Sequence, residues 1–424
     1  MKNYRNGEKG YILYMSLVFV GLISMIAGVC FFVTTSDYRM STRSADSIRA
    51  YYVADAGLAN VFMQVRAGAA GTITASDSSY SVGSSMIGSY TTTATSDGAQ
   101  FPTYTIVSQG TYRNVTKTLT LRVKASSFSR YGYFSGTEID PVWGGNWYIT
   151  GMISTGPTHT NGRFNMWGAP VFSGVVSQVA SAVNYWNSAT DNPDYQQGLN
   201  VSAPALALPV TNTFLNSISA GAQQAQGLYL TGDSTLTFVS DGTINVTNTA
   251  NGWTNHSVPI PANNALFVNN GNATVQGVLN GRLTVGTNQN IYINGNLVYN
   301  LNPRTNPSST DLLGLVAKTN VQVTDQGPFS IEVDGYIVAL DGQFSVKNFW
   351  TFAKGDMVQY GGLTTKLPGG LTGLFDPGTG QVVFGYNQLQ YFDERLKNEA
   401  PPWFPPATDS AGRVLYNKLS LTEM

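Results

Sequence analysis

The chain has 424 residues, 45 of them glycine, a net charge of −1 and only 11% charged residues. Soluble domains usually carry about 25% charged residues, and this length allows roughly two or three domains. Because phosphate binding needs a basic face, the near-neutral charge excludes nucleic acid as an expected partner.

The N-terminus predicts a membrane helix. A short basic leader is followed by an uncharged apolar run at 11–33, and a polar segment without proline continues to residue 66. The run is long enough to cross a bilayer as a helix. We therefore expect one helix over 11–66 that spans the membrane over 11–33, with Cys30 as an ordinary apolar residue. A cleaved signal peptide is the alternative, although its apolar core would be shorter.

Gly10 stands between the charged leader and the first apolar residue, Tyr11. This junction resembles the prepilin-peptidase site of type IV pilins and pseudopilins, where cleavage follows the glycine. The sequence ADAGL at 54–58 resembles the end of the helical segment in minor pilins with a PilX-type N-terminus, with Asp55 in place of the usual Glu. The resemblance implies a leader at 1–10, a prepilin peptidase as a partner, and contacts with other pilin-like subunits through the helix.

The fifth position of the mature chain would be Met15, whereas major pilins carry an acid there. The first acid after Gly10 is Asp37, beyond the apolar run. This departure favours the minor or tip class of subunit over a bulk filament subunit. The resemblance further implies a single-pass protein of the inner or cytoplasmic membrane, with its N-terminus inside and its large domain extracytoplasmic or at the cell surface.

After the helix, the apolar pattern changes to alternation in twos. This period predicts a small antiparallel sheet over 67–125, formed by a three-stranded meander that packs on the outer half of the helix. The helix face that meets this sheet is expected to contain apolar residues at helical spacing. These are Ile48, Tyr51 or Tyr52, Leu58, Phe62 and Val65.

Residues 126–400 contain short β-branched or aromatic runs between glycine, asparagine and aspartate. The runs are 265–268, 283–285, 291–293, 297–299, 321–323, 331–333 and 344–346. Such short strands predict an irregular β-solenoid without a strict repeat, and a β-sandwich remains the alternative because it has the same alternation. The expected fold class is thus mainly β with one long N-terminal α-helix.

Two further elements are expected in the C-terminal two thirds. One helix is predicted over 212–225, with Phe214, Ile218 and Ala222 on one face, and a proline-containing tail over 401–424. The segments 156–174 and 391–406 resemble a large β-rich domain that bacterial genomes attach to pilin-like N-termini. That domain has no established activity, so the resemblance implies an architecture and no chemistry.

Catalytic and metal-binding patterns are nearly absent. His159 and His256 lack metal-ligand spacing, and a structural hydrogen-bonding role is expected for His159. Asp334 and Asp341 are interpreted as turn residues, with weak support for calcium. The sequence therefore predicts no enzyme activity, no catalytic residue, no metal and no cofactor.

The leading hypothesis is a structural subunit of a type IV pilus or a type II secretion-like filament, placed at its tip. Which filament system it serves stays open. A membrane-anchored polysaccharide-binding protein and a β-helical carbohydrate-active enzyme are the alternatives, with surface glycans as candidate partners. Six tryptophans could stack on sugars or pack in the fold: Trp143, Trp147, Trp167, Trp253, Trp350 and Trp403.

Overall fold

The computed structural model describes residues 8–82, 85–99, 101–142, 144–368, 372–376 and 381–423. The chain forms two compact units. The N-terminal unit comprises Met1–Lys124 and Lys418–Met424, and the solenoid unit comprises Ala125–Asn417. The fold is mainly β with one long N-terminal helix, as the sequence predicts.

The N-terminal unit begins with helix α1 (Glu8–Arg66). This helix starts before Gly10, so its first turn lies inside the predicted leader. Every residue from 11 to 34 is exposed. Within the described part of the chain, α1 is the one helix whose length and apolar composition suffice to cross a membrane.

A five-stranded sheet packs on the second half of α1, where a three-stranded meander was expected. Its order is β1-β2-β3-β4-β34, with antiparallel pairing from β1 to β4. The strands are β1 (Ile73–Val82), β2 (Ser85–Ser96), β3 (Thr103–Tyr112), β4 (Val115–Ala125) and β34 (Tyr416–Glu423). The fifth strand comes from the predicted C-terminal tail, and the ion pair of Lys117 with Glu423 (2.7 Å) joins it to β4.

Small residues form the centre of the helix face that meets this sheet. Ala54 and Gly57 are buried, and a Cβ atom on Gly110 would overlap the backbone of Ala54. A Cβ atom on Gly57 would likewise overlap the hydroxyl groups of Thr92 and Ser108, which are hydrogen-bonded to each other (2.7 Å). The ADAGL segment therefore allows a close approach of helix and sheet.

The predicted helix face is partly correct. Leu58 and Val65 are buried as expected, but Ile48 and Tyr52 are exposed. The buried face instead runs through small and β-branched positions, which share one side of the helix at spacings of three and four residues. They are Ala50, Val53, Ala54, Gly57, Leu58, Val61 and Val65.

The solenoid unit contains 29 strands in the described ranges, most of them in one 22-stranded sheet. The first group is β5 (Tyr133–Ser135), β6 (Ile139–Asp140), β7 (Gly144–Gly145), β8 (Trp147–Ile149), β9 (Ile153–Ser154), β10 (Thr158–Thr160), β11 (Asn165–Trp167), β12 (Val171–Phe172), β13 (Val176–Gln178), β14 (Asn184–Tyr185), β15 (Asp194–Tyr195), β16 (Leu199–Asn200) and β17 (Leu206–Ala207).

The second group follows helix α2 (Thr211–Ala222). It is β18 (Leu228–Thr231), β19 (Ser234–Val239), β20 (Thr243–Asn248), β21 (Trp253–Pro259), β22 (Ala265–Asn269), β23 (Ala273–Leu279), β24 (Arg282–Thr287), β25 (Ile291–Tyr299), β26 (Leu312–Ala317), β27 (Val321–Val323), β28 (Ile331–Ala339), β29 (Phe344–Val346), β30 (Ala353–Thr365), β31 (Gly373–Phe375), β32 (Val382–Phe392) and β33 (Thr408–Asp409). All seven predicted runs lie in these strands.

Parallel pairing between successive coils confirms the solenoid and contradicts the sandwich. In β19, β23, β25, β27 and β29, equivalent inward positions are paired from coil to coil and are buried. This ladder is Leu236, Val275, Ile293, Val323 and Val346. Each such side chain contributes about 1.5–3 kcal/mol through burial, so the stacked apolar ladder holds neighbouring coils together without a disulfide.

The coils do not stack in chain order. β5 pairs with β30 on one side and with β10 on the other, and β9 pairs with β32. The coils formed by residues 133–200 therefore follow the coil of β30 and β32 in the stack. Two of these coils share an 18-residue register, as in Ile153 with Val171. The next register is 23 residues, as in Val171 with Asp194, so the stack has no strict repeat, as expected.

Asparagines at the corners explain part of the polar composition. The Asn272 amide nitrogen donates to Asp233 (3.1 Å), and the Asn290 amide nitrogen donates to the Asn272 carbonyl oxygen (3.1 Å). The Asn290 oxygen in turn accepts from the Asn320 backbone N–H (3.2 Å). These corner side chains satisfy backbone groups that a sharp bend leaves unpaired.

Helix α2 ends three residues earlier than predicted, and its expected apolar face is confirmed, with Phe214, Ile218 and Ala222 buried.

The predicted tail at 401–424 is not a separate segment but is divided between the two units. Phe404 is buried beside Phe214 in the solenoid unit, and residues 418–423 belong to the N-terminal unit.

Candidate functional site

The residues of the predicted processing and assembly surface all lie on α1. The Gly10 backbone is helical, and Tyr11, Met15, Asp37 and Asp55 are exposed. A helix rises 1.5 Å per residue, so Met15 and Asp55 are about 60 Å apart. The fold therefore does not gather these residues into a site but presents them along one extended helix.

Sequence reasoning missed the buried acid of this helix, Asp46. Its carboxylate lies 3.5 Å from both Arg49 and Arg113. Both guanidinium groups also lie over the ring of Tyr112, at 5.2 and 5.4 Å. Asp46 lies four residues before the buried Ala50, and this helical spacing could have predicted its burial from the sequence. Its contact with Arg113 joins helix α1 to the turn between β3 and β4.

Each of the two histidines contacts neighbouring side chains in this fold. The ring nitrogens of His159 are within hydrogen-bonding distance of Ser177 (2.8 Å) and Asn161 (3.1 Å), which confirms the expected structural role. Burial lowers the pKa of His159, which favours the neutral ring. His256 packs on Trp253 with ring centroids 4.7 Å apart.

The turn interpretation holds for Asp341 and is wrong for Asp334. Asp341 lies at a bend and pairs with Lys366 (3.2 Å). Asp334 lies inside β28 and accepts a hydrogen bond from the Tyr299 backbone (2.9 Å). The following glycine, Gly335, has a φ of +144° and kinks the strand instead of ending it. Burial raises the pKa of Asp334 to about 7.

Three tryptophans meet on one side of the solenoid, on the sheet formed by β8, β11 and β14. The rings of Trp167 and Trp186 are stacked, with centroids 4.9 Å apart and planes 13° from parallel. Trp147 meets Trp186 edge-on at 5.3 Å. We call Trp147, Trp167 and Trp186 the tryptophan platform. Trp186 is 61% exposed, and sequence reasoning missed it. Its position one coil after Trp167 could have indicated that the two rings stack.

Among the tryptophans that the structure describes, Trp350 and Trp403 do not join the platform. Trp403 packs against Gly221 and donates from its indole nitrogen to the Asn263 carbonyl (2.9 Å). Trp350 packs on Phe349 and is 47% exposed. Trp143 lies outside the described residues. Packing is thus the role of Trp403, whereas Trp147 and Trp167 share a surface.

A cleft of about 120 Å³ adjoins the platform. Trp147 and Tyr148 line it from β8, and residues of β30, β31 and β32 line the opposite side. Four amide side chains face it: Asn146, Asn387, Gln388 and Gln390. None of the described lining residues is charged. The cleft thus combines aromatic surface with uncharged hydrogen-bonding groups, although it is smaller than the roughly 300–1,000 Å³ of most small-molecule pockets.

A buried carboxyl group, Glu138, lies behind this cleft. Its oxygens accept hydrogen bonds from Tyr133 (3.1 and 3.2 Å), Asn146 (3.1 Å) and Ser135. Burial nevertheless raises the pKa of Glu138 to about 7. Hydrolysis of a glycosidic bond usually requires two carboxyl groups across the substrate, and no carboxylate is among the described residues lining the cleft. Glu138 therefore anchors the cleft wall through its hydrogen bonds.

Metal binding has no support in the geometry. Over the ranges that the structure covers, no three His, Cys, Asp or Glu side chains come together as a metal site. Cys30 is exposed on α1 and has no cysteine partner in this sequence.

Comparison with known proteins adds a family match and one similar structure. Residues 89–181 match a domain of unknown function, DUF4900, which includes the 156–174 segment and covers less than a quarter of the chain. No curated protein matches the chain. Among solved structures, the chain is similar to the competence-associated pilin ComZ from Thermus thermophilus, with 13% identity and a TM-score of 0.35 over 89% of this chain and 97% of that one. A likeness at this level carries no argument about function.

Proposed function

We propose that this chain is a minor-pilin-like structural subunit of a pilus-type filament, with no enzymatic role. Its prepilin peptidase would cleave after Gly10, and the mature helix would anchor the subunit in the membrane before assembly. The subunit would then contact other pilin-like subunits through α1. The filament is a type IV pilus or a type II secretion-like filament, and the solenoid unit is displayed at its tip.

The observation that carries this proposal is the division of α1 into two halves. Its first half is apolar and exposed over 11–33, and its second half buries a face of small residues on an antiparallel sheet. Exposed apolar surface of this extent needs lipid or protein to cover it. A helix that inserts in the membrane and later packs against neighbouring helices meets both needs.

Orientation follows from the same proposal. The N-terminus would stay on the cytoplasmic side of the inner or cytoplasmic membrane, and both folded units would be extracytoplasmic. The resemblance of the Gly10 junction to a prepilin-peptidase site supports this direction, because the peptidase would act on the cytoplasmic side of the helix.

The proposal is tested by sequencing the mature N-terminus in a host with an active prepilin peptidase. We expect the membrane-bound chain to begin at Tyr11, and we expect Gly10→Val to retain the leader. Gly21→Val is the matched control, since Gly21 is also helical and nothing lies near its Cβ position. A wild-type chain that still begins at Met1 would refute the pilin interpretation.

A further inference from the structure

We propose that the tryptophan platform and the adjoining cleft bind one chain of a neutral β-1,4-linked polysaccharide. The inference deepens the proposed display function by naming the ligand class, and its geometry does not depend on filament assembly. A sugar ring of this type presents a face of C–H bonds that packs on an aromatic ring, and its hydroxyl groups project sideways toward hydrogen-bonding partners.

The first argument is the exposure of a flat, rigid aromatic surface. Trp186 is 61% exposed although it stacks on Trp167. Buried aromatic rings contribute much of the free energy of binding, and tryptophan is enriched at binding centres. An exposed indole supported by a second ring offers such a surface before any ligand arrives.

The second argument is that the carboxylate of Asp191 holds the two loops that follow Trp167 and Trp186. Asp191 accepts hydrogen bonds from the backbone N–H groups of Gly168 (2.8 Å) and Asn187 (2.6 Å). Gly168 has a φ of +75°, and a Cβ atom there would overlap the hydroxyl oxygen of Thr150. Asp191 is thus a positioning residue, and a preorganised platform lowers the entropic cost of binding.

The third argument is the scarcity of charge, which selects a neutral ligand. Residues 144–200 include three charged side chains in sequence, Arg163, Asp191 and Asp194. The Arg163 Nε donates to the Ala182 carbonyl (2.9 Å), and Asp191 is engaged as described. Single-stranded nucleic acid also stacks on aromatic rings, but it requires a positively charged groove along its backbone. The observations therefore favour a polysaccharide.

The fourth argument is continuity between platform and cleft. Trp147 belongs to both, so a chain stacked on Trp186 can extend past Trp147 toward the amide groups of Asn387 and Gln388. Amide side chains both donate and accept hydrogen bonds, as sugar hydroxyl groups do. Here Asn387 donates to Asp356 (2.9 Å) and Gln388 donates to Gln359 (3.3 Å), which orients both amides. The platform would supply affinity, and the amides would supply orientation.

The test is isothermal titration of the full-length protein, in a detergent without a sugar headgroup, with cellohexaose and chitohexaose. We expect at least one of them to bind, and Trp186→Ala to weaken its binding by about tenfold or more. Trp350→Ala, which removes an exposed tryptophan that belongs neither to the platform nor to the cleft lining, should change the Kd by less than about twofold. Trp186→Phe retains a ring and should bind with intermediate affinity, which distinguishes lost stacking from misfolding.

Three outcomes would overturn the inference. They are no binding of either oligosaccharide, equal affinity in folded Trp186→Ala, and tighter binding of an oligothymidylate or of polygalacturonate. The proposed filament role is tested independently. An unprocessed N-terminus would refute that role without affecting these titrations.

Discussion

Phe404 stacks on Phe128, with ring centroids 5.3 Å apart and ring planes inclined by 23°. Phe214 and Tyr336 meet the same Phe404 ring edge-on, at 5.3 and 5.7 Å. Phe404 is buried at the centre of this cluster. A residue that the sequence assigns to a tail therefore joins three distant parts of the solenoid unit.

This contact determines where a stable fragment can end. We expect a fragment of residues 125–417 to fold as a β-rich body, and a fragment of 126–400 to unfold or aggregate, since it lacks Phe404. Within 125–417, Phe404→Ala should lower the free energy of unfolding by about 3–5 kcal/mol. Urea denaturation followed by circular dichroism measures this, with the exposed Phe329 as the control in Phe329→Ala. Equal stability of the two fragments would contradict the prediction.

The contact of Gly110 with α1 predicts a steric effect on the N-terminal unit. Because a Cβ atom there would overlap the Ala54 backbone, Gly110→Ala should separate helix and sheet and lower the free energy of unfolding by about 1–3 kcal/mol. The neighbouring Gln109 is exposed on the same strand, so Gln109→Ala should have little effect. Thermal unfolding and limited proteolysis of the full chain in detergent measure both variants. A Gly110→Ala protein as resistant as the wild type would exclude close packing here.

Glu138 predicts a decrease in stability as the pH rises from about 4.5 to about 7. Its pKa is raised from 4.5 to about 7 in the fold, so between these values the folded chain holds a proton that the unfolded chain has released. The free energy of unfolding therefore falls as pH rises through this range, by roughly 3 kcal/mol in total. Asp334, with its pKa raised to about 7, acts in the same direction.

Urea denaturation of the full chain at several pH values between about 4 and 8 measures this slope. Glu138→Gln, which has no titrating group, should make the decline shallower. Glu394→Gln removes an exposed carboxylate that pairs with Lys397, and it should leave the slope unchanged. The same slope in Glu138→Gln and in the wild type would show that burial does not shift this carboxyl group.

In the proposed filament, Met15 predicts the position of the subunit. Cleavage would leave an ammonium group at Tyr11, which is costly to bury without a partner. The resemblance to pilins implies that an acid at the fifth position of the incoming subunit pairs with this group on the subunit above. Met15 cannot do so, whereas a tip subunit has no subunit above it. We therefore expect gold label at filament tips in the wild type.

Met15→Glu should move part of this label to the shaft, because the acid would allow the subunit to join beneath another. Met25→Glu places the same charge elsewhere in the exposed apolar half of α1, so it controls for effects on membrane insertion. Label along the shaft in the wild type, or an unchanged distribution in Met15→Glu, would refute the tip assignment.

Local sequence patterns predicted where the strands lie better than they predicted which strands pair with each other. The runs at 321–323 and 344–346 match β27 and β29, because alternation of β-branched residues depends on near neighbours. The alternation could not distinguish a solenoid from a sandwich, since both bury every second residue. Only the parallel pairing of Val321 with Phe344 decided it.

The sequence by itself determined the long helix, its exposed apolar half and the mainly β composition, because these depend on residue type and period along one segment. The tertiary structure decided what depends on distant contacts. It placed β34 in the N-terminal sheet, Phe404 in the solenoid unit and β5 beside β30. It also brought Trp186 onto Trp167 and buried Glu138. Each of these joins residues through packing and hydrogen bonds that no local pattern encodes.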